Sequence, residues 1–248
     1  MERNLTTGSV FKNITYFSLP YLLSYFLQTL YGMADLFIIG QFENGVAGTT
    51  AVSIGSQVMH MITVMIVGLA MGTTVTIAQA VGGNDKKRTS SAIGNTVTLF
   101  LCVSVVLMAV LIFFVRPITG LMSTPSEAVE GTVQYLTICF IGIPCITAYN
   151  IISSVFRGLG DSKSPMYFIA VACGANIILD YFFVGVLNLG PSGVALGTTL
   201  SQAVSVIMAL IFIHKKDMGI SFGRKDCILK KDVLGQILRI GIPVALQD

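Results

Sequence analysis

Long apolar runs separated by short polar breaks dominate this chain. Six of them cover roughly residues 14–40, 51–81, 92–115, 129–156, 166–187 and 193–214. A seventh opens near residue 233 and is still running at Asp248. A helix crosses the hydrocarbon with about 20 apolar residues, so each of the six is long enough to span a membrane. A β-barrel would show alternating segments of about ten residues, and these runs are continuous. Inside lipid the backbone must satisfy its own polar groups, which makes such runs helices. The expected fold is all-α: a polytopic six-helix transmembrane bundle with the start of a seventh helix. The expected organisation is a cytoplasmic tail over 1–13, a six-helix lobe over 14–214, a basic cytoplasmic linker over 215–232, and the seventh helix over 233–248.

Composition narrows the class. Of 248 residues, 54% are hydrophobic and 11% charged, against about a quarter charged in soluble domains. Mean hydropathy is +0.81. A soluble globular enzyme does not fit, and neither does a disordered chain. Collagen is excluded because the 25 Gly show no three-residue period. A net charge of +3 makes no case for nucleic acid as a partner. The five Cys, at 102, 139, 145, 173 and 227, form no CxxC, and four lie in apolar runs. They read as small packing residues, with no disulfide framework or metal site. No signal peptide is expected, since residues 1–12 are polar and the first run is too long.

Charge position sets orientation. Thirteen of the 15 Lys and Arg fall in the tail and in alternate connections: Arg3, Lys12, Lys86, Lys87, Arg88, Arg157, Lys163, Lys215, Lys216, Arg224, Lys225, Lys230 and Lys231. The opposite loops carry only Arg116, and Arg239 lies early in the seventh run. The positive-inside rule places the N-terminus and linker in the cytoplasm; the expected location is the plasma (inner) membrane. The linker reads either as an amphipathic connector on the headgroups or as a solvated loop leading into the seventh helix. The second and fourth runs end alike, with Gly82-Gly83-Asn84-Asp85-Lys86 and Gly158-Leu159-Gly160-Asp161-Ser162-Lys163. Helix-capping chemistry explains the echo; a weak internal repeat is the alternative.

Of 12 acidic residues, ten lie in tails, in loops or at the edges of runs and the chain end; Asp35 and Asp180 do not. An acid at the bilayer centre costs roughly 2.5–3.5 kcal/mol, so such groups normally face a cavity or a partner. From the expected helix ends, Asp35 and Asp180 lie roughly 8 and 11 Å below the boundary opposite the basic loops, and Ser201 roughly 12 Å. Asn176 is one turn from Asp180 on the same face. Two carboxylates, an amide oxygen and a hydroxyl suit Na⁺, which prefers oxygen ligands. They suit H⁺ equally, because two nearby carboxylates in low dielectric share one proton. Neither Lys nor Arg falls at this depth, so the counter-charge is a proton, an inorganic cation or a cationic substrate.

These residues resemble a known family. Gln28-Thr29-Leu30-Tyr31-Gly32-Met33-Ala34-Asp35 follows Leu19-Pro20, and the fourth run closes on Phe156-Arg157-Gly158-Leu159-Gly160-Asp161-Ser162-Lys163-Ser164-Pro165. The fifth carries Asn176-Ile177-Ile178-Leu179-Asp180, and the sixth opens with Gly193-Val194-Ala195. In order and across nearly the whole chain, this is similar to the N-terminal half of the MATE (multidrug and toxic compound extrusion) family. The resemblance implies one lobe of a 12-helix fold that alternates between inward-open and outward-open forms. It implies a secondary antiporter exporting cationic or amphiphilic organic compounds against H⁺ or Na⁺, with no other cofactor. Its implied partners are the small-molecule substrate, membrane lipids and the missing C-terminal lobe. By motif, the cation site is Asp35, Asn176, Asp180 and Ser201, where the family's usual Thr makes Thr198 or Thr199 the alternative to Ser201. Pro20 matches the family's helix-one proline and is either a kink or a packing feature; Pro144 is a second kink candidate. A chain ending in the seventh helix reads as truncated or partial, and one lobe alone is expected not to transport.

Gln28, Tyr31, Gln57 and Met61 are candidates for cavity lining. Met59, Met61, Met65 and Met71 offer adaptable thioethers, although Met is ordinary in membrane helices. For Gln28, Gln57, His60 and Asn150, interhelical hydrogen bonding is the plainer role. A flippase of lipid-linked intermediates from the same superfamily is the nearest rival, but its cavity would be cationic. An intramembrane aspartyl protease is the rival enzyme, through Gly158-Leu159-Gly160-Asp161, yet Asp161 falls in a basic turn. A seven-helix receptor would need an outside N-terminus.

Overall fold

The computed structural model describes residues 9–42, 45–215 and 228–247. The tail with Arg3, the linker from 216 to 227 and Asp248 lie outside the described residues, and the two readings of the linker fall largely there. The elements are α1 (Val10–Phe42), α2 (Val46–Gly82), α3 (Lys86–Phe113), α4 (Val115–Leu121), α5 (Val129–Ile141), α6 (Ile143–Gly158), α7 (Lys163–Asp180), α8 (Gly190–Lys215) and α9 (Lys231–Ala245). A π-helical turn over Tyr181–Val186 prolongs α7. Strands are absent among the described residues. Five helices are long and apolar enough to cross a membrane, and α5 with α6 forms a sixth, broken span.

That break corrects the expectation of one helix over 129–156. α5 and α6 meet at Gly142 with a 49° bend. Pro144 sits in the first turn of α6, where its missing N–H costs nothing. Gly142 faces α8 so closely that a Cβ there would lie 2.7 Å from Thr199 Cγ2. The bend thus comes from a proline that cannot extend α5 and a glycine that lets α8 approach. The third run also starts earlier than expected, because Lys86, Lys87 and Arg88 form the first turn of α3. The seventh run ends as a helix at Ala245, two residues after Pro243, with Leu246 as its cap.

The two similar loop sequences fold alike, 76 positions apart, although α7 starts one residue later relative to its Asp than α3 does. Asn84 (φ 54°) and Gly160 (φ 89°) adopt left-handed backbone. The following N–H groups, Asp85 and Asp161, donate to Ala80 O at 3.0 Å and Phe156 O at 2.9 Å. Asp85 Oδ1 then accepts from Arg88 N at 2.9 Å, and Asp161 Oδ1 from Ser164 N at 3.0 Å. Each loop closes one helix with a Schellman bond and opens the next with an Asp cap. Both loops thus use the expected capping chemistry.

Three apolar clusters fill the bundle. One joins α1, α2, α5, the start of α6 and α8 around Ile39, Val52, Tyr135, Phe140 and Val194. A second joins α2, α3, α6 and α9 around Ile77, Phe100 and Ile237. The third joins α6, α7 and α8 around Tyr149, Phe156 and Phe168. Phe156, Phe168 and Phe212 stack within 6 Å of one another in the last of these. Several hydroxyls buried in the spans return to their own helix: Thr76 donates to Gly72 O, Thr96 to Ala92 O and Thr132 to Ala128 O. This is how a helix carries Thr through lipid without an unsatisfied group. The outer shell is apolar, with Leu22, Phe26, Phe37, Leu101, Val106, Ile178 and Ile207 exposed.

Candidate cation site

Three helices bring oxygen-bearing side chains to one buried point. Asp35 projects from α1, Asn176 and Asp180 from α7, and Thr198 and Ser201 from α8. Asp35 is 2% exposed, and Asn176, Asp180 and Ser201 are fully buried. The Asp35 carboxyl lies beside both Asp180 and Asn176. The local sequence explains the convergence. Asn176 and Asp180 are spaced i,i+4 and share one face of α7, and Asn176 Nδ2 donates to Asp180 Oδ2 at 3.1 Å. Asp180 is the last α-helical residue before the π turn, a distortion that recurs at functional sites. Gly197 admits it: a Cβ on Gly197 would overlap Asp180 Oδ1.

Of the three candidate hydroxyls, Thr198 is the one that meets a carboxyl. Thr198 Oγ1 donates to Asp35 Oδ2 at 3.1 Å. Ser201 sits one turn further along α8, where its hydroxyl donates to Thr198 O at 2.9 Å and pairs with the Tyr31 phenol at 2.7 Å. Ser201 is thus one residue removed from the carboxyls. Thr199 points to the α5–α6 bend instead. Tyr31, expected as cavity lining, is buried here and also donates to Thr198 O at 2.9 Å. Sequence reading missed Gly197 and the bracing by Tyr31. The signal for Tyr31 was its position one turn before Asp35 on the same face of α1.

Three acceptors stay without a hydrogen-bond partner: Asp35 Oδ1, Asp180 Oδ1 and Asn176 Oδ1. A buried acceptor without a donor costs about 1–3 kcal/mol, and more when charged. Adjacent carboxylates in low dielectric also repel. One small cation relieves both costs. A proton placed between the carboxyls gives a hydrogen bond; Na⁺ takes the same oxygens as ligands. Among the described residues no group of three or more His, Cys, Asp or Glu could hold a metal ion, so two carboxylates and neutral oxygens are the whole donor set.

The remaining candidates scatter. Gln28 is half-buried. Gln57, His60, Met61 and Met65 are exposed along α2, whereas Met59 is buried in the core. Asn150 donates to Ile146 O of its own helix at 2.8 Å, in place of the expected interhelical bond. Pro20 is buried within α1, which continues through it. Asp161 caps α7 at the end opposite Asp180, about 28 Å away at 1.5 Å per residue, so the protease geometry is absent.

Known proteins share this architecture. The MatE family profile matches residues 20–182. The probable multidrug resistance protein YpnP of Bacillus subtilis is 33% identical over 98% of the chain and 54% of its own length. The multidrug export protein MepA of Staphylococcus haemolyticus is 25% identical over 96% of the chain and 53% of its length. A crystal structure of MATE in a bent conformation superposes with a TM-score of 0.90 at 28% identity, over 96% of this chain and 53% of that one. The chain spans about half the length of the curated relatives it matches.

Proposed function

The chain belongs to the MatE family of multidrug efflux transporters, and from that premise we propose that it forms the cation-coupling lobe of a secondary antiporter. The complete transporter exports cationic or amphiphilic organic compounds and takes up H⁺ or Na⁺ through Asp35, Asn176, Asp180 and Thr198. Ser201 and Tyr31 brace Thr198. The lobe sits in the plasma membrane with its N-terminus and basic loops in the cytoplasm, as the lopsided Lys and Arg distribution supports.

The observation that carries this reading is the meeting of two buried carboxyl groups from α1 and α7, each with one oxygen lacking a donor. With the cation bound, their repulsion is cancelled and α1 is held against α7. With the cation released, the two negative groups favour separation or hydration, and the bundle rearranges. Coupling then amounts to one cation's differential affinity for two arrangements of the same helices. The acidic site argues against a lipid-linked phosphate as cargo.

The test is export of a fluorescent organic cation by the complete transporter in vesicles, under separately imposed Na⁺ and pH gradients. One gradient drives export in the wild type. Asp35→Asn and Asp180→Asn remove that response while leaving expression near normal. Export that ignores both gradients, or survives both substitutions, overturns the proposal.

A further inference from the structure

α1 and α7 run parallel, and contacts in the same chain order mark the seam between them. At the basic end Lys163 Nζ lies 4.6 Å over the Tyr16 ring. Midway the carboxyls of Asp35 and Asp180 lie beside each other. At the far end Phe42, the last residue of α1, meets the π turn that follows Asp180. Asp35, Ile38, Ile39 and Phe42 share one face of α1 at three- and four-residue spacing.

The π turn decides what Phe42 meets. Leu187 N donates to Phe182 O at 3.0 Å, five residues back, where an α-helix reaches back four. With α-helical spacing, Val184 would follow Asp180 one turn on along the same face. Instead Gly185 fronts α1, and Val184 is turned into the core, 2% exposed and against Gly193 of α8. A glycine in the place of a valine leaves a notch. A Cβ on Gly185 would lie 3.0 Å from Phe42 Cζ and 3.2 Å from both Cε atoms. Tyr181 closes the side of the notch, its ring 5.3 Å from that of Phe42 between centroids and 81° between planes. This edge-to-face arrangement is a favoured aromatic geometry.

Ile38, Ile39 and Val184 lie between this contact and the acid pair, buried together in the first apolar cluster. Seven residues separate Phe42 from Asp35, about 10 Å at 1.5 Å each. A close-packed interior passes on a small displacement rather than absorbing it. Where the Phe42 ring seats therefore fixes where the outer half of α1 lies against α7. Phe42 does not touch the carboxyls and acts on them only through α1.

We propose that Phe42, latched into the Gly185 notch against Tyr181, is a positioning residue for the cation site: it holds Asp35 close to Asp180 and so sets the affinity for the coupling cation. The inference rests on the cation-coupling reading. A cation that needs both carboxyls binds only the paired arrangement of α1 and α7. Its apparent affinity falls by whatever fraction of molecules leaves that arrangement. Breaking the latch therefore weakens cation binding, and saturating cation restores the paired state.

The experiment measures export of a fluorescent organic cation by the complete transporter in vesicles, titrated with whichever of Na⁺ and H⁺ drives the wild type. Phe42→Ala raises the cation concentration for half-maximal export about fivefold, the scale of an aromatic pair, while the maximal rate at saturating cation stays near wild type. Gly185→Ala shifts it likewise, because its methyl pushes on the tip of the ring. Phe42→Leu gives a smaller shift and lacks the three ring atoms which that methyl meets. Gly185→Ala therefore adds nothing in the Phe42→Leu background, a non-additivity expected of residues in contact. Only folded molecules export, so poor folding lowers the maximal rate without imitating the shift. A half-maximal concentration that stays put in all variants, or shifts that simply add, overturns the latch. Asp35→Asn in the same series separates the two claims. Export lost there, with Phe42 and Gly185 variants unshifted, refutes the latch alone; cation-driven export that persists there refutes the site and the latch with it.

Discussion

Four aspartates divide between the two ends of this lobe and do opposite work. Asp85 and Asp161 lie at the basic end, in loops, and their carboxylates are occupied by backbone N–H groups at the starts of α3 and α7. Asp35 and Asp180 lie within the bundle, buried and side by side, each with an oxygen that no protein donor reaches. The first pair is satisfied by the fold itself. The second pair is left needing a positive charge from outside. The same side chain is thus a helix cap where amides converge on it and, in the proposed function, a cation ligand where the fold withholds donors.

Substitutions that respect this contrast sharpen it. The largest effect belongs to the buried pair. Asp35→Asn or Asp180→Asn lowers cation-driven efflux by about a hundredfold, the order of losing several kcal/mol of charge interaction, with expression unchanged in membrane fractions. Gly197→Ala comes next: its methyl displaces Asp180, costs about 1–3 kcal/mol from overpacking, and lowers both thermal stability and efflux. Thr198→Val follows, because Asp35 loses its hydroxyl donor; the coupling-cation concentration for half-maximal efflux shifts about tenfold, matching a charged hydrogen bond of roughly 1.5 kcal/mol. Ser201→Ala produces a smaller shift in the same assay, since Tyr31 still donates to Thr198 O. The smallest transport effect comes from the loops. Asp161→Ala costs about 1 kcal/mol of stability, visible as a lower melting temperature in detergent, while efflux per folded molecule stays near wild type. Equal transport losses at Asp161 and Asp180 would erase the distinction.

The spans and the acid pair were legible because both rest on rules that ignore tertiary detail. Long apolar runs must be helices in lipid, and an isolated Asp within one needs a partner. The i,i+4 spacing of Asn176 and Asp180 put them on one face without a structure. Choosing between Thr198 and Ser201 was beyond the sequence, because three residues along a helix keeps both on the same side. Only the position of α1 against α8 decides which hydroxyl meets Asp35. The α5–α6 break was half visible in Pro144, but the bend also depends on Thr199 pressing on Gly142 from a helix more than 50 residues away. Gly197 gave no signal at all, since its function is to be absent from the space that Asp180 occupies.

The central claim is that Asp35 and Asp180 hold one cation between them. Binding of radiolabelled Na⁺, and proton uptake measured with a pH electrode, in the purified complete transporter test it directly. The account predicts a single cation per lobe, of one of these two kinds, lost in Asp35→Asn and lost equally in Asp180→Asn. Retention of full binding by either variant would contradict it.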